Sequence, residues 1–221
     1  DEVSALTGAS LTISEPALKL VSKEEAFDAL VYKQILSKID VRGDIEGEGG
    51  LLVSVKDAIR LGGILIMLPE TELDDFVADE NYSEEIEDAY GEIANIIAGA
   101  YSKCFEEMYP KACRLIRKEQ EVVTPAKIDV EAEEPVKNQA YYTATHELTF
   151  GDTKAGNLVM LLPAETFGLV QEEEQVSEPA PAETAAVEES VPDEPKAAEP
   201  TEEINQGDVA EPEDSPSTVP Y

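Results

Sequence analysis

The chain has 221 residues, of which 49 are Asp or Glu and 16 are Lys or Arg, so its formal net charge is −33. Nucleic-acid binding relies on Lys and Arg side chains that neutralise phosphates, so this charge argues against DNA, RNA and anionic membrane surfaces as partners. The hydrophobic fraction of 42% is typical of a soluble globular protein with a buried core.

Signals for membrane insertion and secretion are missing from the sequence. No segment reaches the roughly 20 consecutive apolar residues that a membrane-spanning helix needs, so we expect no membrane insertion. The residues after Asp1 lack the basic and apolar segments of a signal peptide. The two cysteines, Cys104 and Cys113, are too few for a disulfide framework and suit a reducing compartment. These features predict a cytoplasmic protein.

The composition changes abruptly near residue 171. Residues 171–221 contain 16 acids, one base and eight prolines, and large apolar side chains are scarce there. Such a segment cannot bury enough apolar surface to offset the conformational entropy lost when its backbone is ordered. We therefore predict a folded domain over 1–170 and a disordered acidic tail, rich in Pro, Ala and Glu, over 171–221.

Alternating apolar and polar residues predict short strands in the first part of the domain. These predicted strands cover 11–14, 19–22, 34–42 and 51–55, with a turn region over 43–50. Asp57 is placed to cap a helix that runs to about Leu68, where Pro69 ends it. A buried strand over 64–68 is the alternative, because periodicity does not settle so short an apolar run.

The clearest predicted element is a long helix over 83–108. Asn81 and Ser83 are candidate N-caps, and Glu84 is placed to complete a capping box with Asn81. Three further strands are predicted over 113–123, 141–150 and 157–162, the last two joined as a hairpin. Helices and antiparallel strands in this irregular order predict an α+β fold.

The long helix has two faces of opposite character. Apolar residues at steps of three and four predict a buried stripe, made of Ile86, Tyr90, Ile93, Ile97, Tyr101, Cys104 and Met108. At about 100° per residue, a second stripe lies nearly opposite and should face solvent or a partner. It consists of Asp88, Glu92, Asn95, Gly99 and Ser102.

Glu92 and Asn95 lie three residues apart, so one rigid helix presents a carboxylate beside an amide. A carboxylate can pair with a lysine of a partner, and an amide can orient a water molecule for attack on phosphorus. Positioning supplies most of the catalysis in phosphoryl transfer, so the chain needs no nucleophile of its own. Any amphipathic helix has a polar face, however, and the spacing alone favours an ordinary solvated surface.

The sequence around this pair resembles the signature of the CheC/CheX/FliY superfamily of chemotaxis phosphatases. Residues 88–99 read DAYGEIANIIAG, with an acidic residue before Glu-x-x-Asn and then an apolar pair and a small residue. Residues 4–16, SALTGASLTISEP, resemble the end of the first signature helix of the family and the strand after it. The resemblance continues through the strands up to Leu162 and covers none of the acidic tail. Pro125 lies further along than in the family, which indicates an insertion around 108–117.

This resemblance implies a continuous antiparallel sheet flanked by helices, and a phosphatase that acts on the aspartyl phosphate of the CheY response regulator. Asn95 would then orient the attacking water, Glu92 would anchor the lysine of the regulator, and Asp88 would fill the preceding acidic position. Gly99 and Ser102 would belong to the same partner-binding surface. The chain would need no cofactor or metal of its own, because the Mg²⁺ would belong to the regulator.

The resemblance leaves a noncatalytic alternative open. FliM-type relatives have the fold without the catalytic pair, so the chain could instead be a flagellar-switch or adaptor protein that only binds a response regulator. Flagellar switch proteins and a second copy of the chain, in a homodimer, are further partners that the resemblance allows.

Other candidate sites in the sequence are weaker. His146 is the only histidine, and in a predicted strand it should be packed or solvent-facing rather than catalytic. One His and two Cys cannot complete the four ligands of a structural zinc site. A segment that begins like a calcium-binding loop at Asp79 has Glu84 where the loop requires glycine. The acidic residues of 74–80 are predicted to form a solvated loop edge.

Overall fold

The computed structural model of the chain describes residues 11–151 and 153–168. Its strands are β1 Leu11–Ile13, β2 Ala17–Val21, β3 Gln34–Gly43, β4 Gly47–Ser54, β5 Cys113–Val123, β6 Tyr141–Phe150 and β7 Thr153–Pro163. Its helices are α1 Lys23–Asp28, α2 Val55–Leu65, α3 Glu70–Ala78 and α4 Glu84–Met108, with a 3₁₀ turn over Pro125–Lys127. The predicted acidic tail over 171–221 lies outside the described residues.

These strands form one antiparallel sheet with the neighbour order β1, β6, β7, β4, β3, β5, and β2 also pairs with β6. Strands β1 and β2 follow each other along β6, where Leu11 lies opposite Phe150 and Val21 lies opposite Tyr141. Together they make one interrupted edge of the sheet, and β5 makes the other. The predicted α+β class, with an antiparallel sheet flanked by helices, is confirmed.

Successive residues of the central strands point into two different cores, as the period of two in a strand requires. Ile35, Leu51 and Met160 are fully buried on the face covered by α2 and α4. Their chain neighbours Leu36 and Leu52 are equally buried on the other face. That second face is covered by α1 and by the segment after β5. The sheet is therefore apolar on both faces, and α4 packs against one of these faces.

Helix α2 approaches α4 closely at a glycine. A Cβ atom on Gly62 would lie 2.6 Å from the carbonyl oxygen of Ile86 in α4. No side chain fits into this space without moving one helix, so the glycine sets the distance between the two helices. Helix α4 is thus fixed by α2 on one side and by the sheet beneath it.

On the opposite face of the sheet, a buried lysine holds the segment between β5 and β6. The Lys23 side chain is 1% exposed, and its ammonium group donates to three carbonyl oxygens, those of Asp129, Ala132 and Glu134, at 3.0, 2.7 and 3.3 Å. Burial lowers the pKa of this amine. The three carbonyls satisfy the donors of the ammonium, so it orders a segment that lacks regular structure.

Three sequence predictions about α2 and its surroundings are wrong. Ser54, not Asp57, caps α2, because its hydroxyl accepts a hydrogen bond from the Asp57 backbone N–H at 3.1 Å. Asp57 lies in the first turn, where its buried carboxylate accepts from the Gly156 backbone at 3.1 Å. The helix ends at Leu65, before the predicted Leu68, and the alternative strand over 64–68 is not formed either. The predicted turn over 43–50 is shorter, because β4 already begins at Gly47.

Two short helices, α1 and α3, are missing from the sequence prediction. Of the acidic residues predicted as a loop edge, Asp74 and Asp75 lie in α3, which buries only Val77, and Asp79 and Glu80 follow it. So little burial leaves almost no apolar periodicity to recognise in the sequence. None of the helices in the described part of the chain is long and apolar enough to cross a membrane.

Candidate functional site

The candidate site lies on α4, the longest helix of the described residues. Its N-cap is Ser83, whose hydroxyl accepts from the backbone N–H of Ile86 at 3.4 Å. The capping box predicted between Asn81 and Glu84 is not formed, because Asn81 precedes the cap and its backbone N–H donates to the Phe76 carbonyl. The helix begins one residue later than the predicted 83–108 and ends where predicted.

The predicted apolar stripe of α4 is confirmed over its first four turns. Ile86, Tyr90 and Ile93 are fully buried, and Ile97 is 7% exposed. The prediction is wrong for the last two members of the stripe, since Cys104 is exposed and Met108 is 82% exposed. The aromatic rings that replace them in the packing are those of Phe105 and Tyr109, which stack against Phe167.

The opposite face of α4 carries the predicted site residues. Asp88, Glu92, Asn95 and Gly99 are all exposed. Asp88 and Glu92 lie one turn apart, and Asn95 follows Glu92 by three residues, so the three polar groups are neighbours on the helix surface. Neither Asp88 nor Glu92 takes part in an ion pair within the described residues. Both carboxylates are therefore available to a cation from another molecule.

Gly99 and Ser102 differ in their exposure and in their contacts. A Cβ atom on Gly99 would meet nothing within 4 Å, so this position lies open on the helix surface. Ser102 is half-buried, and its hydroxyl accepts from the Leu115 backbone N–H of β5 at 2.8 Å. The same hydroxyl lies 2.9 Å from the carbonyl oxygen of Ala98. Ser102 thus joins α4 to β5, and we leave it out of the partner-binding surface.

A groove runs beside the polar face, between α4, the end of α2 and strand β5. Its lining residues on the helices are Leu65, Ile66, Glu85, Glu87, Asp88, Ala89, Gly91 and Glu92. On the strand they are Arg117, Lys118, Glu119 and Gln120. Carboxylates of α4 therefore line one side of this groove, and Arg117 lies on the side of β5. The Lys118 ammonium group is 3.4 Å from the Asp40 carboxylate.

Arg117 is the residue of this site that the sequence did not reveal. Its Nε–H donates to the side-chain oxygen of Asn95, with a distance of 2.9 Å between Nε and Oδ1. A lone arginine in a predicted strand gives no signal of such a contact, because the contact depends on how β5 packs against α4. The candidate pair thus has a third, basic neighbour supplied by another element.

His146 of β6 has hydrogen-bond partners of its own. Its Nδ1 is 2.7 Å from the backbone oxygen of Ser14, and its Nε2 is 2.5 Å from the Tyr101 hydroxyl. A backbone oxygen only accepts, so Nδ1 donates to Ser14, and in the neutral ring Nε2 accepts from the tyrosine hydroxyl. Of the two roles expected for His146, packed or solvent-facing, the half-buried side chain with two partners fits the packed one.

No group of three or more His, Cys, Asp or Glu side chains within 11–151 and 153–168 has the arrangement of a metal site. A carboxylate can bind a cation, and an amide can both donate to and accept from a bound water.

The fold is shared with FliY and with the FliM middle domain. FliY from Thermotoga maritima superposes with a TM-score of 0.60 at 14% identity, over 75% of this chain and 82% of the FliY chain. The FliM middle domain from Vibrio alginolyticus gives 0.57 at 9% identity, over 77% and 89%. A chain of the FliG–FliM complex from Helicobacter pylori gives 0.57 at 11% identity, over 74% and 83%.

No protein-family model and no curated protein matches the sequence. The identities to the solved structures are low, so the similarity establishes the fold. This is the fold that the resemblance to the CheC/CheX/FliY superfamily implied, and that prediction is confirmed.

Proposed function

We propose that the chain is a phosphatase that hydrolyses the aspartyl phosphate of a CheY-type response regulator. The observation that carries the proposal is the exposed Glu92–Asn95 pair on a helix that is held by α2 and by the sheet. The resemblance of residues 88–99 to the superfamily signature supports the same function, and so does the fold shared with FliY. This activity would take place in the cytoplasm, where response regulators act.

In the proposed reaction, a water molecule attacks phosphorus in line with the aspartyl oxygen. A bond forms between the water oxygen and phosphorus, and the bond between phosphorus and the aspartyl oxygen breaks. The products are inorganic phosphate and the free aspartate carboxylate, so the leaving group needs no proton. Such reactions are accelerated mainly by holding the reactants in line and by stabilising charge.

Asn95 is the residue that we propose to hold the water, because its amide both donates and accepts hydrogen bonds. Glu92, three residues earlier, would pair with a lysine beside the phosphorylated aspartate of the regulator. Asp88 and Gly99 would contact the regulator on either side of this pair. Magnesium would be bound by the acidic pocket of the regulator, and this chain would contribute no ligand to it.

A noncatalytic role as a switch or adaptor protein is the second candidate. It is favoured by the similarity to the FliM middle domain, which has nearly the same TM-score as the similarity to FliY. In that case the Glu92–Asn95 face would bind a response regulator without hydrolysing its phosphate.

A phosphate-release assay on a phosphorylated receiver domain separates the two candidates. We expect the wild-type chain to accelerate dephosphorylation, and we expect Asn95→Ala to lower the rate constant about 100-fold, because the water is no longer held in line. Binding of the receiver domain, measured by calorimetry, should be nearly unchanged in this variant.

Asn81→Ala is the matched control, since it removes an exposed amide that lies just before the same helix. It should keep the wild-type rate. If the Asn95→Ala variant hydrolyses as fast as the wild type, the phosphatase proposal is wrong. Binding without any acceleration by the wild type would favour the switch or adaptor role.

A further inference from the structure

Next to the exposed Glu92–Asn95 pair, polar side chains of strand β5 fill the space between β5 and α4. At its centre is Arg117, whose Nε donates to Asn95 Oδ1 at 2.9 Å. We propose that Arg117 is a positioning residue that fixes the orientation of the Asn95 amide, and that Gly91 is required to leave room for its guanidinium group. This inference rests on the proposed function, since it assigns a task to the partner of the proposed catalytic amide.

The guanidinium group of Arg117 determines which atom of the Asn95 amide faces it. Arginine has only donors, so the atom of Asn95 that faces it must be the carbonyl oxygen. The NH₂ group of the amide consequently points away from Arg117. One lone pair of Oδ1 also stays free, because a carbonyl oxygen accepts two hydrogen bonds. The amide therefore keeps both a donor and an acceptor for a water molecule, in one fixed orientation.

A β-bulge in β5 places Arg117 where it can make this contact. Ile39 of β3 pairs with Arg117 and Ser37 pairs with Gln120, so two residues of β5, Lys118 and Glu119, lie opposite Lys38 alone. In a regular strand, residues three apart point to opposite faces, but one extra residue restores the same face. Arg117 and Gln120 accordingly both point toward α4.

Gln120 links Arg117 to helix α4 by hydrogen bonds. Arg117 Nη1 lies 3.4 Å from Gln120 Oε1 and 3.1 Å from the backbone oxygen of Lys118. Gln120 Nε2 in turn donates to the Glu87 carbonyl oxygen at 2.9 Å and to the Tyr82 hydroxyl at 3.1 Å. Burial raises the pKa of Tyr82, so its hydroxyl stays protonated. The guanidinium group is thus tied to both the strand and the helix.

The position of Gly91 in α4 matters for the same contact. A Cβ atom on Gly91 would lie 3.1 Å from Nη2 of Arg117, closer than ordinary packing allows. The guanidinium group therefore lies over the bare backbone of the helix, one residue before Glu92. A larger residue at 91 therefore requires the guanidinium group to shift by a few tenths of an ångström.

These contacts define an experiment with three variants of the full chain. Arg117→Ala removes the donor to Asn95, and Gly91→Ala keeps the arginine but displaces it. Arg114→Ala, in the same strand, is the matched control, because it removes an equal charge from an exposed side chain outside the network. Turnover and KM are measured with a phosphorylated receiver domain, and stability by urea unfolding.

We expect Arg117→Ala to lower kcat about 10-fold or more, since the amide loses its orientation, and Gly91→Ala to lower kcat by a smaller factor, since the arginine is only displaced. KM should change less than about twofold in both variants, because the binding face stays intact. Gly91→Ala should do so without loss of stability, because alanine is the better helix former. Arg114→Ala should retain the wild-type kcat. An unchanged kcat in Gly91→Ala or Arg117→Ala, or a higher kcat in Arg117→Ala, would overturn the inference.

A spectroscopic measurement distinguishes failure of this inference from failure of the proposed function. The side-chain NH₂ resonances of Asn95 should shift in Arg117→Ala and Gly91→Ala and stay in place in Arg114→Ala, whether or not the wild type hydrolyses phosphate. If the wild type is inactive but these shifts occur, the phosphatase function fails and the positioning contact stands. Unmoved resonances in Arg117→Ala mean that the arginine does not hold the amide.

Discussion

Glu92 and Asn95 are neighbours on one helix face, yet their surroundings differ in a way that matches two separate tasks. Asn95 accepts a hydrogen bond from Arg117 and so has a defined orientation. Glu92 takes part in no ion pair within the described residues and is exposed. A held amide suits the ordering of a water molecule, whereas a free carboxylate suits pairing with a cation of the partner.

This difference leads to a prediction for Glu92→Gln. The substitution removes the charge and keeps the shape, so we expect it to weaken binding of a phosphorylated receiver domain about two- to fivefold, the usual effect of an exposed ion pair. The kcat at saturating receiver should stay near the wild-type value. The affinity of the variant should also depend less on salt, because one charge pair is lost.

Glu106→Gln, near the exposed end of the same helix, is the control for the change in net charge. It should bind the receiver domain as the wild type does. Equal affinities for Glu92→Gln and the wild type at low salt would show that Glu92 does not pair with the partner.

Two contacts of α4 decide whether its polar face is presented rigidly. Gly62 allows α2 to approach the Ile86 backbone, and Ser102 bonds to the Leu115 backbone of β5. These contacts lie near opposite ends of the face that carries Asn95. The sequence predicts the helix and its polar face, but it does not predict the two contacts, because both join segments that are distant in the chain.

The packing at Gly62 can be tested against the normal preference of helices for alanine. Gly62→Ala places a Cβ atom 2.6 Å from the Ile86 carbonyl oxygen, so we expect it to lower the free energy of unfolding by about 1–3 kcal/mol. Gly99→Ala, on the open face of α4, should raise that free energy by up to about 1 kcal/mol. Urea unfolding measures both changes.

The two variants have opposite expected signs for the same chemical change, so each serves as the control for the other. A Gly62→Ala variant that is more stable than the wild type would show that α2 and α4 are not in close contact at this point. It would also remove one of the two supports of the proposed rigid face.

For the molecule as a whole, the sequence predicted the strands of the sheet better than the short helices α1 and α3. Alternating patterns and turn residues placed the strands that pair in the sheet. Helices α1 and α3 are short and bury few side chains, so their patterns are weak. Arg117 could not be predicted, because its place depends on the β-bulge and on the register between β3 and β5.

The net charge of the whole chain also affects how the proposed partner is attracted. Residues 1–170 carry 33 acids and 15 bases, so they account for −18 of the net charge of −33. A partner is therefore attracted mainly through its basic side chains, and its association should be slower in high salt. The acidic first half of α4, next to Glu92, would present such a field to a lysine near a phosphorylation site.

The most direct test of the central claim is a crystal structure of the chain bound to a receiver domain activated with beryllofluoride. We predict that α4 lies against the phosphorylation site, with the Asn95 amide next to the beryllofluoride group and the Glu92 carboxylate paired with a lysine of the receiver. A complex in which the receiver binds elsewhere, and both side chains stay exposed to solvent, would contradict this account.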